Sequence, residues 1–140
     1  MIAIAQKPSD RTVARWKGSL WTGRVLSALA ILFLFLDGVA KLVKPTPGPV
    51  VEAMARLGYP ESAAVGIGLL LIACTILYAI PRTSVIGALL LTAYLGGATA
   101  SHVRIGADLF PILFPSMMGI LLWGGLILRD FRLRALLVSD

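Results

Sequence analysis

Charge is the first thing this sequence is short of. Asp, Glu, Lys and Arg together make up 14% of the 140 residues, while 58% are hydrophobic. A soluble domain carries about 25% charged residues and about 45–50% apolar ones, so a soluble fold of this length could not hide the apolar surface present here. Cysteine is nearly absent too. The single Cys74 excludes an internal disulfide, a C-x-x-C dithiol and a cysteine metal cluster built within one chain. With one histidine, His102, there is no pair of histidine haem ligands, and no flavin-binding motif is present. One His and scattered acids without a tight motif give no metal site. The opening MIAIAQKPSD is too short an apolar run for a signal peptide, so the first long apolar segment is expected to be retained.

What the chain has is long apolar runs. A spanning helix takes about 20 residues, and four such runs fit: about 22–43, 63–80, 84–101 and 109–128. Each must be helical, because lipid offers no partner to backbone N–H and C=O groups. The reading is an all-α chain: a membrane four-helix bundle (residues 20–137) behind a basic cytoplasmic tail (residues 1–19), with a short interfacial helix between the first and second spans. Pro45, Pro47 and Pro49 end the first span. In the loop that follows, Val50, Val51, Met54 and Leu57 form an apolar stripe from which Glu52, Arg56 and Glu61 stand apart, as in a helix lying on a bilayer surface. Gly58 and Pro60 stop it. Only Pro81, Arg82 and Thr83 separate the second and third spans, which makes them antiparallel neighbours, with Thr83 or Ser84 expected to cap the third.

The net charge of +6 could suggest nucleic acid, but the bases lie at helix ends and tails, where they read as an orientation signal. With the N-terminus inside, the inner segments hold nine Lys and Arg and the outer ones four (Lys41, Lys44, Arg56 and Arg104). Both termini are therefore expected in the cytoplasm. Trp16, Trp21 and Trp123 fall near the inner interface as an aromatic belt. The bilayer is the expected partner, and nucleic acid is not.

Candidate chemistry gathers at the outer end. Asp37 lies within the first span, where an acid costs about 2.5–3.5 kcal/mol at the bilayer centre and less toward the edge. Lys41 follows at i+4, the favourable order for an ion pair. His102 and Arg104, just past the third span, and Asp108, at the start of the fourth, reach the same level. These five groups are the candidate ligand-binding cluster. A structural pair in which Lys41 snorkels outward is the competing reading of Asp37. Gly87, Ala93, Gly96, Gly97 and Ser101 are candidate helix-packing residues, since small side chains let membrane helices approach closely. On that basis the third span is expected to be the most buried, and Gly97→Leu more disruptive than Cys74→Ala. Pro115 is expected to bend the fourth span and free a carbonyl near the cluster.

The segments LFLFLDGVAKL (32–42), LGYP (57–60), PRTSVIGALLLTAYLGGATASHVRIG (81–106) and LFPILFPSMMGILLWGGLILRD (109–130) resemble the DoxX-like family of bacterial membrane proteins. The resemblance implies a four-helix bundle in the bacterial inner membrane. Asp37, Gly38, Lys41, Pro81, Arg82, Thr83, Gly96, Gly97, His102 and Arg104 match the family's characteristic positions. The family name comes from subunits of a thiosulfate:quinone oxidoreductase. For this chain the resemblance implies an accessory subunit, or a module binding a quinone- or lipid-type molecule, in a membrane redox system. No cofactor site is built from the chain's own motifs, and a quinone is the cofactor class the family points to. Activity by itself is not expected; a membrane-complex partner or a second copy of the chain is. Two other readings stay open: a small transporter with Asp37 and His102 as a proton relay, and a structural partner that stabilises another membrane protein.

Overall fold

The computed structural model describes residues 10–138. The first nine residues of the basic tail, Lys7 among them, lie outside the described residues, as does the Trp16 side chain. The chain is helical throughout: α1 (Asp10–Leu42), α2 (Gly48–Arg56), α3 (Ala63–Ala79), α4 (Ser84–Arg104), α5 (Leu109–Arg129) and α6 (Phe131–Val138), with no strand among the described residues. Lys17–Leu42, Ser84–Arg104 and Leu109–Arg129 are long and apolar enough to cross a membrane, whereas α3 is a shorter apolar helix of 17 residues. The expected short helix after the first span is α2. The eight-residue α6 was not anticipated; the Asp130 carboxylate starts it by accepting from the Arg132 and Leu133 N–H groups.

The four longest helices pack in a closed ring. α1 touches α3 and α5, and α4 touches the same two. Ala30, Leu34, Leu71, Leu91, Leu95, Met118 and Leu122 fill the interior. The ring has two ends: an α2 end, which holds the C-termini of α1 and α4, and a tail end, which holds the C-termini of α3 and α5.

Close approach depends on glycines, though mostly not those expected. A Cβ on Gly125 would stand 2.6 Å from Ser27 Oγ, and one on Gly23 would stand 2.7 Å from the Arg129 backbone nitrogen. These two set the α1–α5 crossing. Gly38 and Gly68 face each other between α1 and α3, and a Cβ on Gly87 would overlap the Tyr78 backbone. Of the expected packing residues, Gly87 and Ser101 are buried. Ala93, Gly96 and Gly97 are exposed, and a Cβ on either glycine meets nothing within 4 Å. The reason is rotation: Gly87, Ala88, Leu91 and Leu95 form the inward stripe of α4, and Gly96 and Gly97 lie past its edge. Nor is α4 the most buried helix: α3 buries as many residues over 17 positions as α4 does over 21.

The PRT turn also differs from expectation. Neither Thr83 nor Ser84 caps α4; both hydroxyls donate backwards, Thr83 Oγ1 to the Leu77 carbonyl (2.8 Å) and Ser84 Oγ to the Pro81 carbonyl (3.1 Å). The last carbonyls of a helix lack intrahelical donors, and the Leu77 carbonyl in the last turn of α3 takes the Thr83 hydroxyl.

Candidate functional site

Two glycines shape the α2 end. Gly58 (φ +73°) and Gly106 (φ +63°) adopt the left-handed conformation. This closes the C-termini of α2 and α4, with Tyr59 N–H donating to the Met54 carbonyl (2.9 Å) and Ala107 N–H to the His102 carbonyl (3.1 Å). Glycine takes this conformation without the Cβ penalty. The chain after α2 is thereby turned onto α4 and fastened there. The Arg104 guanidinium donates to the Leu57 carbonyl (2.5 Å), and the Tyr59 and Ser101 hydroxyls pair at 2.9 Å. Met54 is buried beneath α2, so the apolar stripe read from the sequence faces the bundle.

Between α2, the end of α4 and the start of α5 lies an open groove of about 480 Å³, lined mostly by exposed residues. Pro49, Glu52, Ala53 and Arg56 line it from α2, His102 and Ile105 from the end of α4, and Asp108 and Pro111 from the start of α5. His102 Nδ1 is buried without a hydrogen-bond partner. Such groups are rare, because burial without a partner forfeits the bonds made to water. α5 runs through Pro115, which has no N–H to give to the Pro111 carbonyl at the groove rim.

The expected cluster divides into three parts. Asp37 and Lys41 form an ion pair at 2.5 Å, with the side chains 40% and 14% exposed respectively, and the Lys41 stem packs beside Gly68. Arg104 is committed to the Leu57 carbonyl. His102 and Asp108 line the groove, which neither Asp37 nor Lys41 reaches.

Sequence reasoning missed two features. Glu52 and Arg56 were placed off the apolar stripe of α2 but not in a site; their i, i+4 spacing on one face was the available signal. At the tail end, Tyr78 is fully buried and joins three helices. Its hydroxyl donates to the Leu122 carbonyl (2.7 Å) and pairs with Ser27 Oγ (3.0 Å). Arg129 lies 4.8 Å over its ring and donates to its carbonyl (2.8 Å). A cation at the C-terminus of α3 meets unpartnered carbonyls there. Nothing in the sequence tells that Tyr78, Ser27 and residue 122 share one level, because the register between helices is not written in any one of them.

Compared with known families, residues 25–125 match the model of the DoxX-like family. No curated protein and no solved structure matched the chain.

Proposed function

The chain belongs to the DoxX-like family, and from that premise we propose that it is a multi-pass inner-membrane protein that holds the polar head of a membrane-dissolved small molecule at its α2 end. In this reading the ring of α1, α3, α4 and α5 is a membrane four-helix bundle. At about 1.5 Å per residue, the 17 residues of α3 reach roughly 25 Å, at the short end of what spans a bilayer. The excess of Lys and Arg at the tail end puts both termini in the cytoplasm, and the exposed Trp21 fits the aromatic belt.

The observation that carries the reading is the open groove beside α2, with four ionisable side chains (Glu52, Arg56, His102 and Asp108) around it. The Asp37–Lys41 pair stands nearby on α1 and can set the local field. A quinone- or lipid-type molecule suits such a place, with its head among the polar groups and its tail in lipid. One cysteine and one histidine cannot run a redox cycle as side chains, so the protein acts as an accessory subunit or binding module, and a partner of a membrane redox system supplies the electron path. Leu34, Leu71, Leu91, Leu95 and Leu122 close the bundle's axis, which argues against a polar route through it and so against the transporter reading.

Native mass spectrometry of gently extracted protein tests the proposal, with wild type beside His102→Leu. The expected result is a small molecule retained by the wild type and lost by the folded variant. Identical spectra with nothing bound to either would remove the binding role and leave a scaffold.

A further inference from the structure

We propose that the groove beside α2 takes a zwitterionic head group, an ammonium and a phosphate carried close together on one ligand. The proposal rests on the reading of this groove as a ligand site and names its chemistry. The wall carries both signs. Glu52 on α2 and Asp108 at the head of α5 are carboxylates; Arg56 on α2 and His102 on α4 are the nitrogen bases. Among the described residues, none of these four side chains is joined to a protein group by an ion pair or hydrogen bond. Their neighbours contrast with them: Arg104 is fixed on the Leu57 carbonyl and Lys41 on Asp37. Glu52, Arg56 and Asp108 are exposed along one groove and free to meet a ligand there.

The balance of charge decides the class. Two carboxylates against one guanidinium and one imidazole leave the wall at −1 or 0. A simple anion there meets two carboxylates, and a simple cation meets Arg56. A ligand with both charges satisfies both sets. Its ammonium donates to Glu52 and Asp108, and its phosphate accepts from the planar fork of Arg56. Phosphoethanolamine has this pattern, whether as the head of a membrane lipid or as a free soluble molecule.

The full-length protein in detergent is titrated by native mass spectrometry with phosphatidylethanolamine, phosphatidylglycerol, glycerophosphoethanolamine and a short-chain quinone. The expected result is phosphatidylethanolamine bound about tenfold more tightly than phosphatidylglycerol, with that preference lost in Glu52→Gln/Asp108→Asn protein of unchanged melting temperature. Competition by free glycerophosphoethanolamine would make the soluble molecule a sufficient source; a requirement for the intact lipid would make the membrane the source. Equal binding of the two lipids, or a preference that survives the double substitution, overturns the zwitterion. Quinone bound and lost in His102→Leu, without any lipid preference, overturns it too but leaves the site standing. No ligand bound by the wild type overturns both.

Discussion

Tyr78 and Asp37 are the two residues whose chemistry decides most, and they were unequally visible. Asp37 announced itself because an acid inside an apolar run is costly, and its partner followed from i, i+4 spacing; the ion pair is there. Tyr78 sits in an ordinary apolar helix, and its role appears only when Ser27 and the Leu122 carbonyl arrive from other helices. Tyr78→Phe removes both hydroxyl bonds. Interhelical hydrogen bonds in membranes are worth about 0.6–2 kcal/mol each, so the purified protein should melt at a lower temperature while keeping its helix content by circular dichroism. Asp37→Asn leaves Lys41 without its counter-charge, but the lysine stem still packs on α3, so insertion and yield should stay near wild type. Loss of folded Asp37→Asn protein would make the pair a structural requirement.

At the scale of helices, the apolar runs gave element type and order directly, and three of them are long and apolar enough to cross a membrane. Rotation about the helix axis was harder. α4 carries small residues on more than one side, so Gly96 and Gly97 looked as fit for packing as Gly87. Only the neighbours show that Gly87 touches the Tyr78 backbone and the other two face outward. Gly87→Leu should therefore destabilise the fold by about 3 kcal/mol or more, the upper end of the overpacking range, because the obstructing atoms are backbone. Gly97→Leu should melt within error of wild type as a single chain, the reverse of what the spacing suggested. Size-exclusion profiles separate the cases: Gly87→Leu aggregates, Gly97→Leu does not. α2 hangs on a few polar bonds, so Arg104→Ala should raise hydrogen–deuterium exchange over residues 54–59 and leave α3 and α5 as protected as before.

For the whole molecule, the candidate site was half legible. Topology brings the end of α4 and the start of α5 to the level of the α1 C-terminus, which follows from antiparallel neighbours and short turns; His102 and Asp108 are found together on that ground. That α2 folds back to flank an open groove, so that Glu52 and Arg56 join them while Asp37 and Lys41 stand apart, depends on the Gly58 turn and on Arg104 and Tyr59 finding carbonyl and hydroxyl partners across the fold. Those are contacts over more than 40 residues of sequence, and no local pattern encodes them. The orientation is testable separately: reporter fusions at both ends should report the cytoplasm, and a periplasmic signal from either would reverse the assignment of inner and outer ends.

The central claim is that the groove beside α2 holds a small molecule. It is tested most directly by placing a photoreactive residue at Ala53, in the groove wall, or at Ala93, on the exposed face of α4, and irradiating the protein in native membranes. The account predicts a discrete small-molecule adduct at position 53 that His102→Leu suppresses, and only bulk-lipid labelling at position 93. The same adducts at both positions, unchanged by His102→Leu, would contradict it.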